Sequence, residues 1–156
     1  MASVVPFALL LCLSSSLLTA YGAPCCPPNW TQFGSRCFAF YSEPKTWIDG
    51  ENFCISAGGN LASLHSDAEH KFVKDIIFKV TNTQRTSWIG GFDAVKEGTW
   101  MWTDGSKFDY KIWNAGEPNN YGGAENCLTM NWDGANWNDL ACTNQNSFVC
   151  SKNLCV

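Results

Sequence analysis

Apolar and small residues recur at three- and four-residue spacing in the first third of the chain. Trp47, Gly50, Cys54 and Ala57 follow this spacing, which places them on one face of a helix. The small residues on that face permit close packing. Two consecutive glycines, Gly58-Gly59, come next and predict the end of this helix.

A second helix is predicted a few residues further on. Ser66 and Glu69 have the spacing of a capping box, in which a Ser caps the helix and a Glu follows three residues later. We expect the two histidines near its start, His65 and His70, to be polar surface residues. The apolar face of this helix then comprises Phe72, Val73, Ile76, Ile77 and Val80.

Alternating and continuous apolar stretches predict strands around these helices. Phe38 and Phe40 alternate with other residues, as do Trp100 and Trp102, which favours strands with one buried face. The stretch Trp88-Ile89-Gly90-Gly91 is typical of a buried strand that ends in a turn. The pattern thus predicts two helices among several short strands, the elements of the α+β fold that the family resemblance described below implies.

The N-terminal stretch has the pattern of a secretory signal. It is apolar from Val4 to Leu18 and carries no charged side chain before Arg36. About fifteen residues are too few for a membrane span, and small residues at Ala20 and Gly22 fit a cleavage site after Gly22. We therefore expect a signal peptide at 1–22, a single domain at 23–156, secretion to the extracellular space and no membrane insertion.

Cysteine content and charge narrow the class of protein further. Nine cysteines become eight if Cys12 leaves with the signal, and an even number in a secreted chain indicates disulfides, although 105 pairings exist. The stretch from Asp93 to Asp139 holds eight acidic residues and three lysines, a balance of −5. There is no basic stripe of the kind that nucleic-acid binding requires.

Side-chain oxygens are concentrated in the Gly-rich stretch from Glu117 to Asp139. Three carboxylates and two amides suit a hard cation such as calcium, which takes six to eight oxygen ligands. No Cys or His accompanies them as a soft ligand, which disfavours zinc and copper. A cis bond at Pro118 would aim its two neighbours the same way, and a solvated acidic loop is the plainer alternative. The five side chains are Glu117, Asn119, Glu125, Asn138 and Asp139.

From Cys26 to Cys150 the chain resembles the calcium-dependent carbohydrate-recognition domain of the C-type lectins. The resemblance lies in motifs that occur in the family's order: Trp88-Ile89-Gly90, Glu117-Pro118-Asn119 and Trp137-Asn138-Asp139. It implies two helices packed on small antiparallel sheets with a long calcium-binding loop region. It also implies the disulfides Cys26–Cys37, Cys54–Cys150 and Cys127–Cys142. Cys25 and Cys155 remain, and we expect an intrachain bridge between them, with an interchain bridge in a homo-oligomer as the alternative.

The same resemblance assigns roles to the five oxygen-bearing side chains. They correspond to the principal calcium site, where two sugar hydroxyls replace water on Ca²⁺, donate protons to acid oxygens and accept from Asn amides. Such single-sugar binding is weak and gains from several sites. Asp93, Glu97 and Asn120 correspond to a second calcium site, which the neutral Asn126 makes weaker or absent.

The Glu-Pro-Asn triplet goes, in the family, with mannose, glucose, fucose and N-acetylglucosamine. Tyr121 stands near the place where galactose binders put an aromatic ring, and it either contacts sugar or packs within the loop; we favour packing. We expect glycans or glycoproteins as partners, on microbial surfaces for example, in an innate immune role.

There are three alternatives to a mannose-type lectin, and the first two stay open. A galactose-binding lectin is one, and an ice-binding or protein-binding module on the same fold is another. An enzyme is disfavoured because Glu117 and Glu125 are better explained as metal ligands than as the acid and base of a glycosidase. Asn29-Trp30-Thr31 is a sequon for N-glycosylation.

Overall fold

The first helix forms where the apolar spacing predicts it. The computed structural model describes residues 26–154, and helix α1 runs from Trp47 to Ser56. The hydroxyl of Thr46 caps it by accepting the backbone N–H of Asp49 at 3.3 Å. At the other end Gly58 has φ +84, a conformation that Gly adopts without steric cost, and the helix stops there. The buried side of α1 includes Trp47, Gly50 and Cys54.

Helix α2 runs from Asp67 to Thr81 and begins at the predicted cap. The Ser66 hydroxyl accepts the backbone N–H of Glu69 at 3.1 Å. The Glu69 carboxylate does not return to Ser66, as a capping box would require. It accepts the backbone N–H of His65 at 2.8 Å and pairs with Arg36 at 3.0 Å. The ion pair between Glu69 and Arg36 therefore connects the start of α2 to a strand that is distant in the sequence.

Two positions on α2 differ from the sequence prediction. His70 is only 5% exposed, so the expectation of a polar surface residue is wrong. It lies three residues before Val73 and seven before Ile77, and thus shares their buried face. Val80 is 63% exposed, because the last turn of the helix extends beyond the core.

The strands form one connected sheet in the part of the chain that the structure describes, rather than several small antiparallel sheets. The strand order is β1-β2-β8-β4-β6-β7, with β3 against β8 and β5 against β4. The pair β4 and β8 is parallel, with Trp88 opposite Phe148, and the other strand pairs are antiparallel. The fold is therefore α+β with a mixed sheet. Its strands are β1 Thr31–Phe33, β2 Arg36–Lys45, β3 Asn60–Leu61, β4 Ser87–Phe92, β5 Met101–Trp102, β6 Cys127–Met130, β7 Asn138–Leu140 and β8 Asn146–Asn153.

Three disulfides join these elements, and they are the three pairs that the family resemblance implies. Cys26–Cys37 closes the N-terminal hairpin, Cys54–Cys150 joins α1 to β8, and Cys127–Cys142 spans β6 and the segment after β7. The expected Cys25–Cys155 bridge and the signal peptide at 1–22 lie outside the described residues. None of the helices within 26–154 has the length and hydropathy needed to cross a membrane.

Candidate functional site

The long loop that carries the first half of the oxygen-rich stretch leaves the body of the protein beside Trp137. The backbone N–H of Trp137 donates to the carbonyl of Ile112 at 2.9 Å, and that of Asn114 donates to the carbonyl of Trp137 at 2.7 Å. Trp113 and Trp137 form a parallel bridge. The start of the loop is thereby fixed next to the residue that precedes the second half of the stretch.

Trp137 is also the centre of a cluster of aromatic rings. It is fully buried and meets the rings of Trp102 and Trp113 at 90° and Tyr110 at 87°, the edge-to-face arrangement that aromatic pairs favour. His70 of α2 contacts it edge-on, with ring centroids 6.3 Å apart. Sequence reasoning did not connect His70 to the site, although its helical spacing from Val73 and Ile77 indicated a buried position.

Asn138 and Asp139 are positioned by the sheet. They lie on β7, opposite Thr129 and Leu128 of β6, and both are buried. Strand β7 therefore fixes the position of this pair. The upstream Trp132 does not belong to a strand and lies in a 3₁₀ turn at Trp132–Gly134.

The carboxylate of Asp139 connects the sheet to the loop. One oxygen accepts the backbone N–H of Asn119 at 3.0 Å and the other accepts that of Asn120 at 2.7 Å. Asp139 is only 1% exposed, and a buried carboxylate requires such donors. The two halves of the stretch, about twenty residues apart, therefore meet at this side chain.

Glu125 closes the loop on itself. Its backbone N–H donates to Oδ1 of Asn120 at 3.1 Å, and its carboxylate accepts the backbone N–H of Tyr121 at 2.9 Å. The segment Tyr121–Gly123 between them is a short 3₁₀ turn. Glu125 is half-buried, so one face of its carboxylate is held by the loop.

Glu117 carries the least satisfied of the three carboxylates. Its bond to Pro118 is cis, and its Oε2 is buried without a hydrogen-bond partner among the described residues. Burial, followed by the negative charges of Asp139 and Glu125, raises the pKa of Glu117, while a hydrogen bond from Asn119 opposes the rise. The structure therefore brings Glu117 close to both other acids.

Glu117 lies close to Asn119, Glu125 and Asp139, but these side chains do not form a complete metal cage. Within residues 26–154, no three acidic, His or Cys side chains are placed together as metal ligands. The reason is local, since Asp139 and Glu125 direct oxygens to backbone N–H groups of the loop. The donor set nevertheless fits a hard cation. Three carboxylates lie in this site, one buried oxygen of Glu117 has no hydrogen-bond partner among the described residues, and a cation would supply the missing positive charge.

A second group of acids lies beside the first. Asp93 is buried, with one oxygen accepting the backbone N–H of Gly98 at 2.8 Å and the other, Oδ1, without a partner in the described residues. Partial desolvation and then the charges of Asp93 and Asp139 raise the pKa of Glu97, and a hydrogen bond with Asn120 lowers it. Glu97 thus lies close to both Asp93 and Asn120.

Tyr121 corrects one interpretation of the sequence. It is 80% exposed, so it does not pack within the loop. Its ring stands in solvent on the 3₁₀ turn that Glu125 holds. An exposed aromatic ring next to a polar site is available to a ligand with an apolar face.

The comparisons with known proteins identify the family of this fold. Residues 43–152 match the Lectin C-type domain, so the chain belongs to the C-type lectin family, a family of binding domains rather than enzymes.

Two lectins from fish illustrate the relationship. The chain is 45% identical to the galactose-specific lectin nattectin of Thalassophryne nattereri, over 99% of this chain and all of that protein. It is 50% identical to ladderlectin of Oncorhynchus mykiss, over 83% of this chain and 69% of ladderlectin. Among solved structures, herring type II antifreeze protein matches with a TM-score of 0.77 and 38% identity, covering 83% of this chain and 100% of the other.

Proposed function

We propose that this protein is a secreted, calcium-dependent lectin that binds sugars of the mannose type. The observation that supports it most strongly is the closeness of Glu117 to Glu125 and Asp139, with one oxygen of Glu117 buried and without a hydrogen-bond partner within 26–154. Like charges held together in a folded protein require either protonation or a cation. The C-type lectin family is generally calcium-dependent, which agrees with a cation.

Calcium would be held by Glu117, Asn119, Glu125, Asn138 and Asp139, with a weaker site at Asp93, Glu97 and Asn120. When bound, Ca²⁺ supplies positive charge and open coordination positions for two neighbouring hydroxyls of one sugar ring. Binding requires ionised carboxylates, so the raised pKa of Glu117 makes calcium uptake weaker in acid.

The protein's own groups would orient the sugar. Carboxylates accept protons from sugar hydroxyls, whereas the amides of Asn119 and Asn138 donate to hydroxyl oxygens. A pair consisting of one acid and one amide therefore presents one acceptor and one donor to each hydroxyl. Charge-assisted bonds of this kind are stronger than neutral ones, and their geometry selects the hydroxyl arrangement.

The order of acid and amide in Glu117-Pro118-Asn119 favours mannose over galactose. Galactose binding is the second candidate, because Tyr121 is 80% exposed and nattectin, which is similar to this chain, is named as galactose-specific. A solvent-exposed ring supports binding to the apolar face of a sugar. The two candidates share the calcium site and differ in which side chain determines specificity.

Retention on immobilised sugars tests the proposal. The full chain, secreted from eukaryotic cells, is applied to mannose and galactose resins in calcium buffer and eluted with a chelator. We expect retention on mannose that free mannose competes more effectively than free galactose. Stronger competition by galactose would assign specificity to Tyr121. Retention on neither resin, together with activity in an ice-growth assay, would favour the antifreeze function for which the herring neighbour is named.

Secretion and assembly form part of the same proposal. The signal peptide at 1–22 delivers residues 23–156 to the extracellular space, where glycans on microbial surfaces are the partners. A homo-oligomer would multiply weak single sites into useful avidity. Sequencing of the N-terminus of secreted protein and its mass in solution check these two points.

A further inference from the structure

The turn before the first strand holds a sequon that the sugar site does not use. The backbone N–H of Trp30 donates to the carbonyl of Pro27 at 3.1 Å, and Asn29 has φ +69. Pro28 followed by a residue with positive φ is the pattern of a type II turn. Asn29 and Thr31, the first and third residues of the sequon, are both exposed.

This turn is held firmly against the body of the protein. The ammonium group of Lys152 lies 4.2 Å from the ring centroid of Trp30, within cation–π range. The same ammonium group donates to the carbonyl of Ala57 at 3.0 Å. The middle residue of the sequon is thereby fixed inward, which leaves the residues on either side of it at the surface.

Asn29 and Thr31 also line an apolar groove. The groove between β1, β2 and α2 has a volume of about 500 Å³, and its other lining residues are mostly apolar, among them Phe40, Phe72, Ile76 and Val80, with the charged Asp75 and Lys79 beside them. Val80 is one of the exposed apolar residues of α2. Exposed apolar surface on a secreted protein is commonly covered by a bound group or partner.

We propose that Asn29 is N-glycosylated and that the first sugars of its glycan cover this groove. Nδ2 of Asn29 forms a bond to C1 of the oligosaccharide of a lipid-pyrophosphate donor in the secretory pathway. The bond from C1 to the pyrophosphate oxygen breaks, the lipid pyrophosphate leaves with the electron pair, and the amide proton is released. The inference rests on the proposed secretion but not on the proposed sugar specificity.

The glycan lies far from the candidate sugar site. Strand β1 follows Asn29 at one end of the strand order, and β7, with Asn138 and Asp139, lies at the other. Five strand spacings separate them, roughly 24 Å across the sheet. The glycan therefore covers the groove without obstructing sugar binding.

The first test is the size of the protein from eukaryotic cells before and after treatment with an N-glycosidase. We expect a downward shift of one glycan, conversion of Asn29 to Asp in the released peptide, no shift in Thr31→Ala and an unchanged shift in Thr31→Ser. Thr31 is exposed, so both substitutions keep the fold. Protein that is secreted without a glycan at Asn29 would overturn the glycosylation proposal and leave the proposed secretion standing. A chain that neither enters the medium nor carries a glycan would overturn both.

The second test examines the groove. Removal of the glycan, or Thr31→Ala, should raise the fluorescence of an apolar dye such as bis-ANS at least about twofold, and Val80→Ser added to Thr31→Ala should reduce that rise. Retention on the mannose resin should not differ between the glycosylated and enzymatically deglycosylated protein. Equal dye fluorescence in both forms would show that the glycan does not cover the groove.

Discussion

The carboxylate of Asp139 accepts the backbone N–H of Asn120 across 2.7 Å, although nineteen residues of chain separate the two. Asp139 belongs to β7, and Asn120 precedes the 3₁₀ turn of the long loop. One buried acid thus both shapes the loop and belongs to the proposed calcium ligands.

Replacement of Asp139 tests this double role. Asp139→Asn keeps the shape of the side chain but removes the charge and one acceptor oxygen. We expect a loss of about 1–3 kcal/mol in the free energy of unfolding and at least about tenfold weaker retention of sugar. Asp133→Asn is the matched control, because Asp133 is exposed and has positive φ, which Asn also tolerates. Equal effects of the two substitutions would contradict the role of Asp139.

Calcium should stabilise the folded protein and a chelator should destabilise it. Without a cation, Glu117 is repelled by Asp139 and Glu125; burial first, and then these two charges, raise the pKa of Glu117. A hundredfold excess of calcium over its dissociation constant adds about 2.7 kcal/mol. Thermal unfolding with calcium, and with a chelator, measures the difference, together with proteolysis between Glu117 and Asn138. A melting curve that does not respond to the chelator would refute the calcium site.

Exchange of the acid and amide around Pro118 should change the preferred sugar. Glu117→Gln with Asn119→Asp moves the acceptor to the opposite side of the pair, so mannose binding should fall and galactose binding should rise. Competition on the two resins measures the change. Tyr121→Ala is the control for the exposed ring. In the exchanged protein it should lower galactose binding, and in the native protein it should leave mannose binding intact. Native protein that already prefers galactose would contradict the mannose assignment.

Acid should destabilise the protein through His70. Burial lowers the pKa of His70 to about 4 from its ordinary value, Lys74 adds to this effect, and Asp67 opposes it. The unfolded state therefore binds a proton that the folded state rejects, so the stabilising contribution is complete above about pH 6.5 and is lost as the pH falls toward 4. The maximum loss is about 3 kcal/mol at 1.36 kcal/mol per pKa unit.

Denaturant unfolding between pH 7 and pH 4.5, with a chelator present, checks this pH dependence. His70→Gln should flatten the fall in stability, because the replacement side chain does not titrate. His65→Gln is the matched control, since His65 is the other histidine and is half-exposed with Asp109 at 3.1 Å. If both variants retain the wild-type pH dependence, His70 is not its source.

The two longer-range disulfides should differ in their contribution to stability. Cys54–Cys150 spans 96 residues and Cys127–Cys142 spans 15. In the chain-entropy model, a loop of about a hundred residues corresponds to about 4.7 kcal/mol and one of about fifteen to about 3 kcal/mol. Paired Cys→Ala variants measured by denaturant unfolding compare the two, and a larger loss from the shorter loop would contradict the entropic account.

If Cys25 and Cys155 form the proposed intrachain bridge, secreted protein should contain no free thiol. A disulfide-linked dimer on a non-reducing gel that disappears with Cys155→Ser would overturn the intrachain bridge.

The helices were predictable because their information is local. The spacing of Trp47, Gly50 and Cys54 was sufficient for α1, and Ser66 was identified as the cap of α2. The partner of Glu69 was not predictable, because Arg36 is 33 residues away and only the fold brings them together. The same holds for the parallel pairing of β4 with β8, which depends on the packing of all the intervening elements.

The candidate site was predictable in its composition but not in its arrangement. The oxygen-rich residues and the motif order predict Glu117, Asn119, Glu125, Asn138 and Asp139 as ligands, and that role stays a prediction. The sequence did not indicate that Asp139 would bind two backbone N–H groups, since hydrogen bonds to the main chain leave no mark on residue identity. It also suggested the wrong environment for Tyr121, because apolar character alone does not separate a packed ring from an exposed one.

The split of the site between a strand and a loop affects how binding preference can change over time. Asn138 and Asp139 are fixed by the register of β7 with β6, whereas residues 117–123 contain no strand and their glycines face open space. Substitutions in the loop half that keep Asn120, Gly122 and Gly123, which have positive φ, can therefore alter ligand choice at little cost to folding, while the strand half keeps Asn138 and Asp139, two of the proposed ligands, in place. A combinatorial library restricted to Tyr121 and Ala124 should accordingly yield folded variants with new specificities far more often than one built on 137–140.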